Sequence, residues 1–552
     1  MTSVLLLNFL LLCVPSLCNA LKFIPFSEFL LSVEKATYKD YASTPVRDEY
    51  AFLEIKEHIL NMYGGVTVPA NVRSYLTDHG YTDCILYLEQ SSIHLLNLTE
   101  EEKTPPQDDE DVDLPDLGGA TDGVKEQPIA VSLFGDPNAV DVFGNPQHCP
   151  KGTVPQRRLT PDRITRFGTL YNFFAKIPFN FTAAWNATDT DNGTVVQKRD
   201  VIDRFGIKHL HEAVYDEAVE NFVGGGSSMN VWKPHAGFSI SQIWLTDPAA
   251  TQTIESGWVV GHGGPFDDDE PHPFIYYTTG GYAEGTGCYN TGDECPGFVM
   301  SSGGHNLRWD LALTPSTFGG KQYELRLVWK LRSSQWRLYF QTLDPITDRL
   351  THNHLVGFYP ASLYRTGKGE LGTHAVYFIV GGEVAEVDAP ESYGEMGSGR
   401  KVTITGDPYA DNYGQVAYQR AIYRMKDRRD DATETWDRAV LRSTVDNTAE
   451  HCYNKYYASE IGSPDAPAGW GATILFGGPG GVYCDDESYP RCRALGCRPL
   501  CRERRLCPGN PRCTDSTPGD DPPCCPSIAG PDNAECRLTR ERCRANGCGT
   551  TL

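Results

Sequence analysis

Thr253–Gly261 reads TIESGWVVG. Its aromatic and branched residues suit a strand. A strand alternates its side chains, so Ile254, Ser256 and Trp258 share one face and Glu255, Gly257 and Val259 the other. A carboxylate beside a glycine then has two readings. It decorates a wet surface, or it stands in a cleft where bare backbone lets an extended ligand approach. Working outward, similar runs follow at short intervals: FSISQIWL (238–245), PFIYYTT (273–279), YELRLVWKL (323–331), QWRLYFQTL (335–343), HAVYFIVGG (374–382) and RKVTITG (400–406). Gly, Pro, Asn and Asp separate them. Many short strands with turn signals between them predict an all-β domain, an antiparallel sandwich of two sheets.

The rest of the 552 residues frames this domain. Residues 1–20, MTSVLLLNFLLLCVPSLCNA, carry an apolar run too short for a bilayer and small residues before Ala20, the pattern of a signal peptide. No later stretch is apolar enough to span a membrane. Eighteen cysteines, sixteen of them after Ala20, imply an oxidising compartment and disulfides. Sequons at Asn97, Asn180, Asn186 and Asn192 agree with a secreted or acidic lumenal location. A net charge of −23 argues against nucleic acid as a partner.

Residues 21 to about 83 hold the one convincing helical pattern, Phe52, Ile55, Ile59 and Leu60 within DEYAFLEIKEHILNMY. The acidic, proline-broken run Glu100–Asp116 reads as a disordered loop. From Cys492 to Cys548, ten cysteines and few large apolar residues predict a small module held by disulfides, with RCRALGC returning as RCRANGC. The expected layout is a signal peptide (1–20), a mixed α/β pro-domain and linker (21–200), a β-sandwich (201–484) and the Cys-rich module (485–552).

The chain has no G-x-S-x-G elbow and no H-E-x-x-H helix. Asp267, Asp268 and Asp269 in PFDDDEPHP lack the spacing of a calcium loop, so a solvated turn is the better reading. His352 with His354, and His262 alone, make poor sites. Two carboxylates remain, Glu255 and Glu383, the latter in HAVYFIVGGEVAEV with Gly381 two positions before it on its own face. On periodicity alone, an ordinary solvated carboxylate is the stronger reading for each.

Several motifs agree with one another in order. CPKGTVPQRR (149–158), FSISQIWL, TIESGWVV, GCYN with CPGFV (287–299), VGGEV (380–384), MGSGR (396–400), AYQRAIYRM (417–425) and HCYN, GWG and FGGPG (451–480) resemble segments of the neprosin family. The resemblance implies a glutamic endopeptidase made as a zymogen, acting in acid without metal or cofactor and preferring Pro before the cleaved bond. Glu255 and Glu383 would be its catalytic pair. The implied disulfides are Cys84–Cys149, Cys288–Cys295 and Cys452–Cys484. The triple-sequon connector, the acidic run and the Cys-rich module are departures from the family pattern.

On that reading one ionised glutamate activates water and the other, protonated, serves the carbonyl oxygen and the leaving nitrogen. Gln242 and Tyr289 are candidate oxyanion partners. Trp244, Trp258 and Tyr377 are candidates to stack on a substrate proline, against the ordinary reading that sandwich aromatics are core. The chain's own pro-domain would cover the cleft until acid weakens its carboxylate contacts, with Gln197–Asp200 as an alternative processing site. A glycosidase with paired carboxylates and a non-catalytic binding protein are the competing expectations.

Overall fold

The computed structural model describes residues 22–480 apart from 107–112, 118–127, 177–206 and shorter internal stretches, and beyond them only a small ladder pairing 498–499 with 524–525. Residues 1–21, the sequons at Asn180, Asn186 and Asn192, the site Gln197–Asp200, and Cys484 lie outside the described residues. Asn97 is exposed.

Two antiparallel sheets form the body, as expected. The first runs Gly287–Tyr289, His272–Thr278, Thr253–Val260, Ser239–Thr246, Tyr377–Val387, Ile207–Asp216, Leu441–Asp446. The second runs Val299–Met300, Leu350–Pro360, Gln335–Leu343, Tyr323–Arg332, Phe222–Asn230, Ala417–Lys426, Thr473–Gly477, Asn454–Ala458. The main core lies between them. Ile254 and Trp258 point into it from the Glu255 strand, and Ser256 accepts the Trp329 indole N–H at 2.8 Å from the opposite sheet. The expected alternation of TIESGWVV therefore holds, and its other face carries Glu255.

RKVTITG is not a strand. Its backbone donors go to side chains, Val402 N–H to Asn454 Oδ1 at 2.6 Å and Thr403 N–H to Asn412 Oδ1 at 2.8 Å, so it joins no ladder.

Before the sandwich, helices and a three-stranded sheet build a second, smaller core. Asp48 caps the helix Glu49–Met62 by accepting the Ala51 N–H, and Phe52, Ile55 and Ile59 are buried, while Leu60 stays at the rim. Cys84–Cys149 and Cys288–Cys295 are bonded, and Cys452 is disulfide-bonded too. The CPKGTVPQRR segment is pinned at both ends. Cys149 is in its disulfide, and Arg158 forms a buried bidentate pair with Asp83 at 2.9 and 2.5 Å.

This smaller unit docks on the sandwich through polar contacts. Arg163 meets Glu294 at 2.9 Å, and Ser92 donates to the Phe298 carbonyl at 2.8 Å. The described ends of the acidic run, on either side of 107–112, depart from expectation. Thr99 and Glu102 form a reciprocal capping box, and buried Glu102 accepts the Ser362 N–H at 2.8 Å. Leu114 and Leu117 pack on the second sheet. Local composition missed this because these ends are placed by the sheet beneath them. No helix among the described residues is long and apolar enough to cross a membrane.

Candidate active site

Glu255 and Glu383 lie on strands separated in the sheet by Ser239–Thr246. Trp244 is the cross-strand partner of both Glu255 and Ile379, and Gln242 faces Gly381 on one side and Gly257 on the other. The intervening strand thus sets Trp244 and Gln242 between the two carboxylates. Neither glutamate is solvated: Glu255 is 0% exposed and Glu383 1%. The ordinary surface reading fails for both.

A single ammonium joins them. Lys176 Nζ lies 2.8 Å from Glu255 Oε2 and 2.7 Å from Glu383 Oε2, so the two oxygens are no further apart than those contacts together allow. The short helix Leu170–Phe174 delivers this lysine. Thr169 caps its start by accepting the Asn172 N–H, and Ala175 ends it in an extended conformation. Tyr171 and Ala175 pack against the apolar floor of Phe238, Ile240, Val259, Phe274, Tyr276, Tyr289 and Ala385. Lys176 then turns into the dyad, its ammonium 5.9 Å from the Trp244 ring centre.

Each carboxylate has further partners. Gln242 Nε2 donates to Glu383 Oε2 at 2.6 Å. His209 Nδ1 lies 2.6 Å from Glu383 Oε1, and His211 Nε2 lies 3.4 Å from Oε2. Glu255 Oε1 accepts from the Tyr282 hydroxyl at 2.5 Å and from Thr253 at 3.0 Å. The two ends are therefore unequal: imidazoles serve Glu383, hydroxyls serve Glu255.

Charge follows this asymmetry. Burial pushes the Glu383 carboxyl up, but Lys176, His211 and the hydrogen bond from His209 outweigh it and hold the group well below the ordinary range. Burial pushes the Lys176 ammonium down, and the two glutamates more than reverse that. Burial, Tyr276 and both glutamates push the Tyr289 hydroxyl well above its ordinary value, so it stays a neutral donor.

The residues singled out from sequence separate cleanly. Gln242 and Trp244 sit at the dyad. Tyr289 is buried on the same floor, its hydroxyl without a hydrogen-bond partner among the described residues. Tyr377 packs with Tyr215 at the far end of the Glu383 strand, near Trp244 and Ile379. Trp258 is a correction: fully buried between the sheets, with its indole N–H donating to the Asn230 carbonyl at 2.9 Å, it cannot meet a substrate.

The glycines are a second correction. A Cβ on Gly257 would stand 1.9 Å from the Ser241 carbonyl oxygen, and one on Gly381 2.3 Å from that of Glu212. They admit neighbouring backbone, not a ligand. Lys176, Tyr282, His209 and His211 were not visible in sequence. Only the alternation of HLH within the strand Ile207–Asp216, with both imidazoles on one face, offered a signal.

The neprosin family model matches residues 235–479, a span holding both glutamates, Gln242 and Tyr282 but not Lys176, His209 or His211. With the sandwich and the paired carboxylates in place, residues 235–479 form a domain of the neprosin family, a family associated with peptidase activity.

Proposed function

We propose that this chain is the zymogen of a glutamic endopeptidase that cleaves after proline in acid. The supporting observation is the Lys176 bridge, one ammonium filling the space where two buried carboxylates meet. A water in that space would touch both glutamates once the lysine leaves. With the cation gone, two close carboxylates cannot both stay ionised, and they share one proton. The ionised partner takes a proton from water, and the protonated one donates to the carbonyl oxygen and then to the leaving nitrogen. Gln242, Tyr282 and Tyr289 supply donors for the developing oxyanion. Trp244 offers a flat face for a proline ring.

Lys176 inhibits twice over. It occupies the site, and its charge favours the ionised Glu383 carboxylate, against the shared proton that the reaction needs. On this reading residues 21–200 form the inhibitory segment and 201–484 the peptidase, secreted after removal of 1–20. The test is incubation of the purified protein at about pH 3–5 with proline-rich peptides and, in parallel, with polysaccharides. Peptide products ending in proline are expected, with no sugar release. Sugar release without peptide cleavage would replace this reading with a glycosidase, since retaining glycosidases hold two carboxyl groups about 5–5.5 Å apart.

A further inference from the structure

Away from the dyad, a second cluster gathers His79, Asp268 and His272, whose ligand atoms all lie within 4.8 Å of one another. His79 occupies the two-residue turn between Arg73–Thr77 and Gly80–Leu86 in the N-terminal unit. Asp268 and His272 belong to the sandwich, with His272 opposite Val259 on the strand beside Glu255. Both imidazoles present Nε2 to the same carboxylate. His272 Nε2 lies 3.0 and 3.1 Å from the two Asp268 oxygens, and His79 Nε2 lies 3.5 Å from Oδ2, too long for a good hydrogen bond.

The rings are set in place. His272 is 1% exposed and stacks on Phe266 at 4.1 Å, and His79 meets its edge at 5.2 Å. The His272 Nδ1 atom is buried with no hydrogen-bond partner among the described residues, so the polar business of that ring lies at Nε2. Arg157 donates to the His79 carbonyl at 3.2 and 3.0 Å, which fixes the turn. Its guanidinium lies over the Phe266 ring, 5.0 Å from the centre. Asp310, paired with Arg308 at 2.7 and 2.8 Å, adds negative charge nearby.

We propose that His79, Asp268 and His272 bind a zinc-class divalent metal ion that staples the N-terminal hairpin to the catalytic sandwich. Two imidazole nitrogens and a carboxylate are a common zinc donor set, at about 2.0–2.2 Å from the metal. Donors at that range in a tetrahedron stand roughly 3.3–3.6 Å apart, so the His272–Asp268 contact would open slightly and the widest separation, within 4.8 Å, would close by up to about an ångström. His79 and Asp268 keep partial solvent access, which leaves the fourth position to water. The ion is structural and remote from the chemistry. Its role as a latch on the inhibitory unit rests on the zymogen reading above; its binding does not.

The test uses full-length, tag-free protein stripped with a chelator and titrated with Zn2+ by calorimetry and with Co2+ by visible absorption. One ion per chain and an intense tetrahedral Co2+ spectrum are expected. His79→Ala, at a partly exposed turn, should lower Zn2+ affinity by at least about 100-fold and abolish that spectrum. The isosteric Asp268→Asn should weaken binding as well. No uptake by the wild-type protein, or unchanged binding in both variants, overturns the site. Neither measurement involves turnover, so failure here leaves the peptidase reading untouched, and an inactive dyad leaves the metal site untouched.

Discussion

In the proposed zymogen, one side chain, Lys176, holds the carboxylate pair latent. The Glu383 carboxyl is held below its ordinary value, so the bridge is fully present above that value and is lost as pH falls through the depressed one. Replacing Lys176 by Ala removes the nearest cation, and the carboxyl should then take its proton at higher pH. Processing of the Lys176→Ala proprotein, followed on gels, should set in at least about one pH unit higher than in the wild type. An unchanged or lower threshold would show that the lysine does not guard the dyad. In the mature enzyme, His209 and His211 still favour the ionised Glu383. His209→Asn should therefore move the acid limb of the pH–rate profile to higher pH, because the pair becomes doubly protonated sooner. The two glutamates were legible from sequence through their motifs. Lys176 was not, since a lysine at a short helix's end carries no local sign of what it reaches across the fold.

At the scale of strands, alternation was the reliable signal. TIESGWVV places Trp258 in the core and Glu255 on the dyad face because a half-buried strand sorts residues by parity. The glycines looked like openings for a ligand, yet each makes room for the next strand. Gly257→Ala should cost at least about 3 kcal/mol in denaturant unfolding, since its new methyl would overlap a main-chain oxygen that cannot swing aside. A loss under about 1 kcal/mol would mean that the strands relax freely at this point. RKVTITG misled for the opposite reason. Its residues suit a strand, but the Asn412 and Asn454 side chains offer its backbone better-placed acceptors than any neighbouring ladder. The acidic run misled because Glu102, Leu114 and Leu117 are ordered by a surface more than two hundred residues away in sequence.

Across the whole molecule, the proposed activity in acid requires the buried carboxylates of the body to stay ionised. Glu324 shows how. Arg420, Arg326, Ser228 and Tyr418 surround it at 2.6–3.1 Å. Burial pushes its carboxyl up, but Arg420 and Arg326 outweigh that and hold it at about 2. Its contribution is present above the ordinary glutamate range and fades between there and about pH 2, amounting to about 3 kcal/mol. Unfolding midpoints of wild type and Glu324→Gln should therefore differ widely at pH 6 and converge towards pH 2. A constant gap would remove the charge explanation. The same body carries the N-terminal unit, the paired carboxylates and the proposed staple, and the proposed glutamic peptidase rests finally on two glutamates acting together. The most direct measurement is turnover of a proline-containing peptide by the mature enzyme and by Glu255→Gln, Glu383→Gln and the double variant. A unit of two predicts a loss of about a thousandfold or more in each single variant and little further loss in the double. Near-wild-type turnover in either single variant would contradict it.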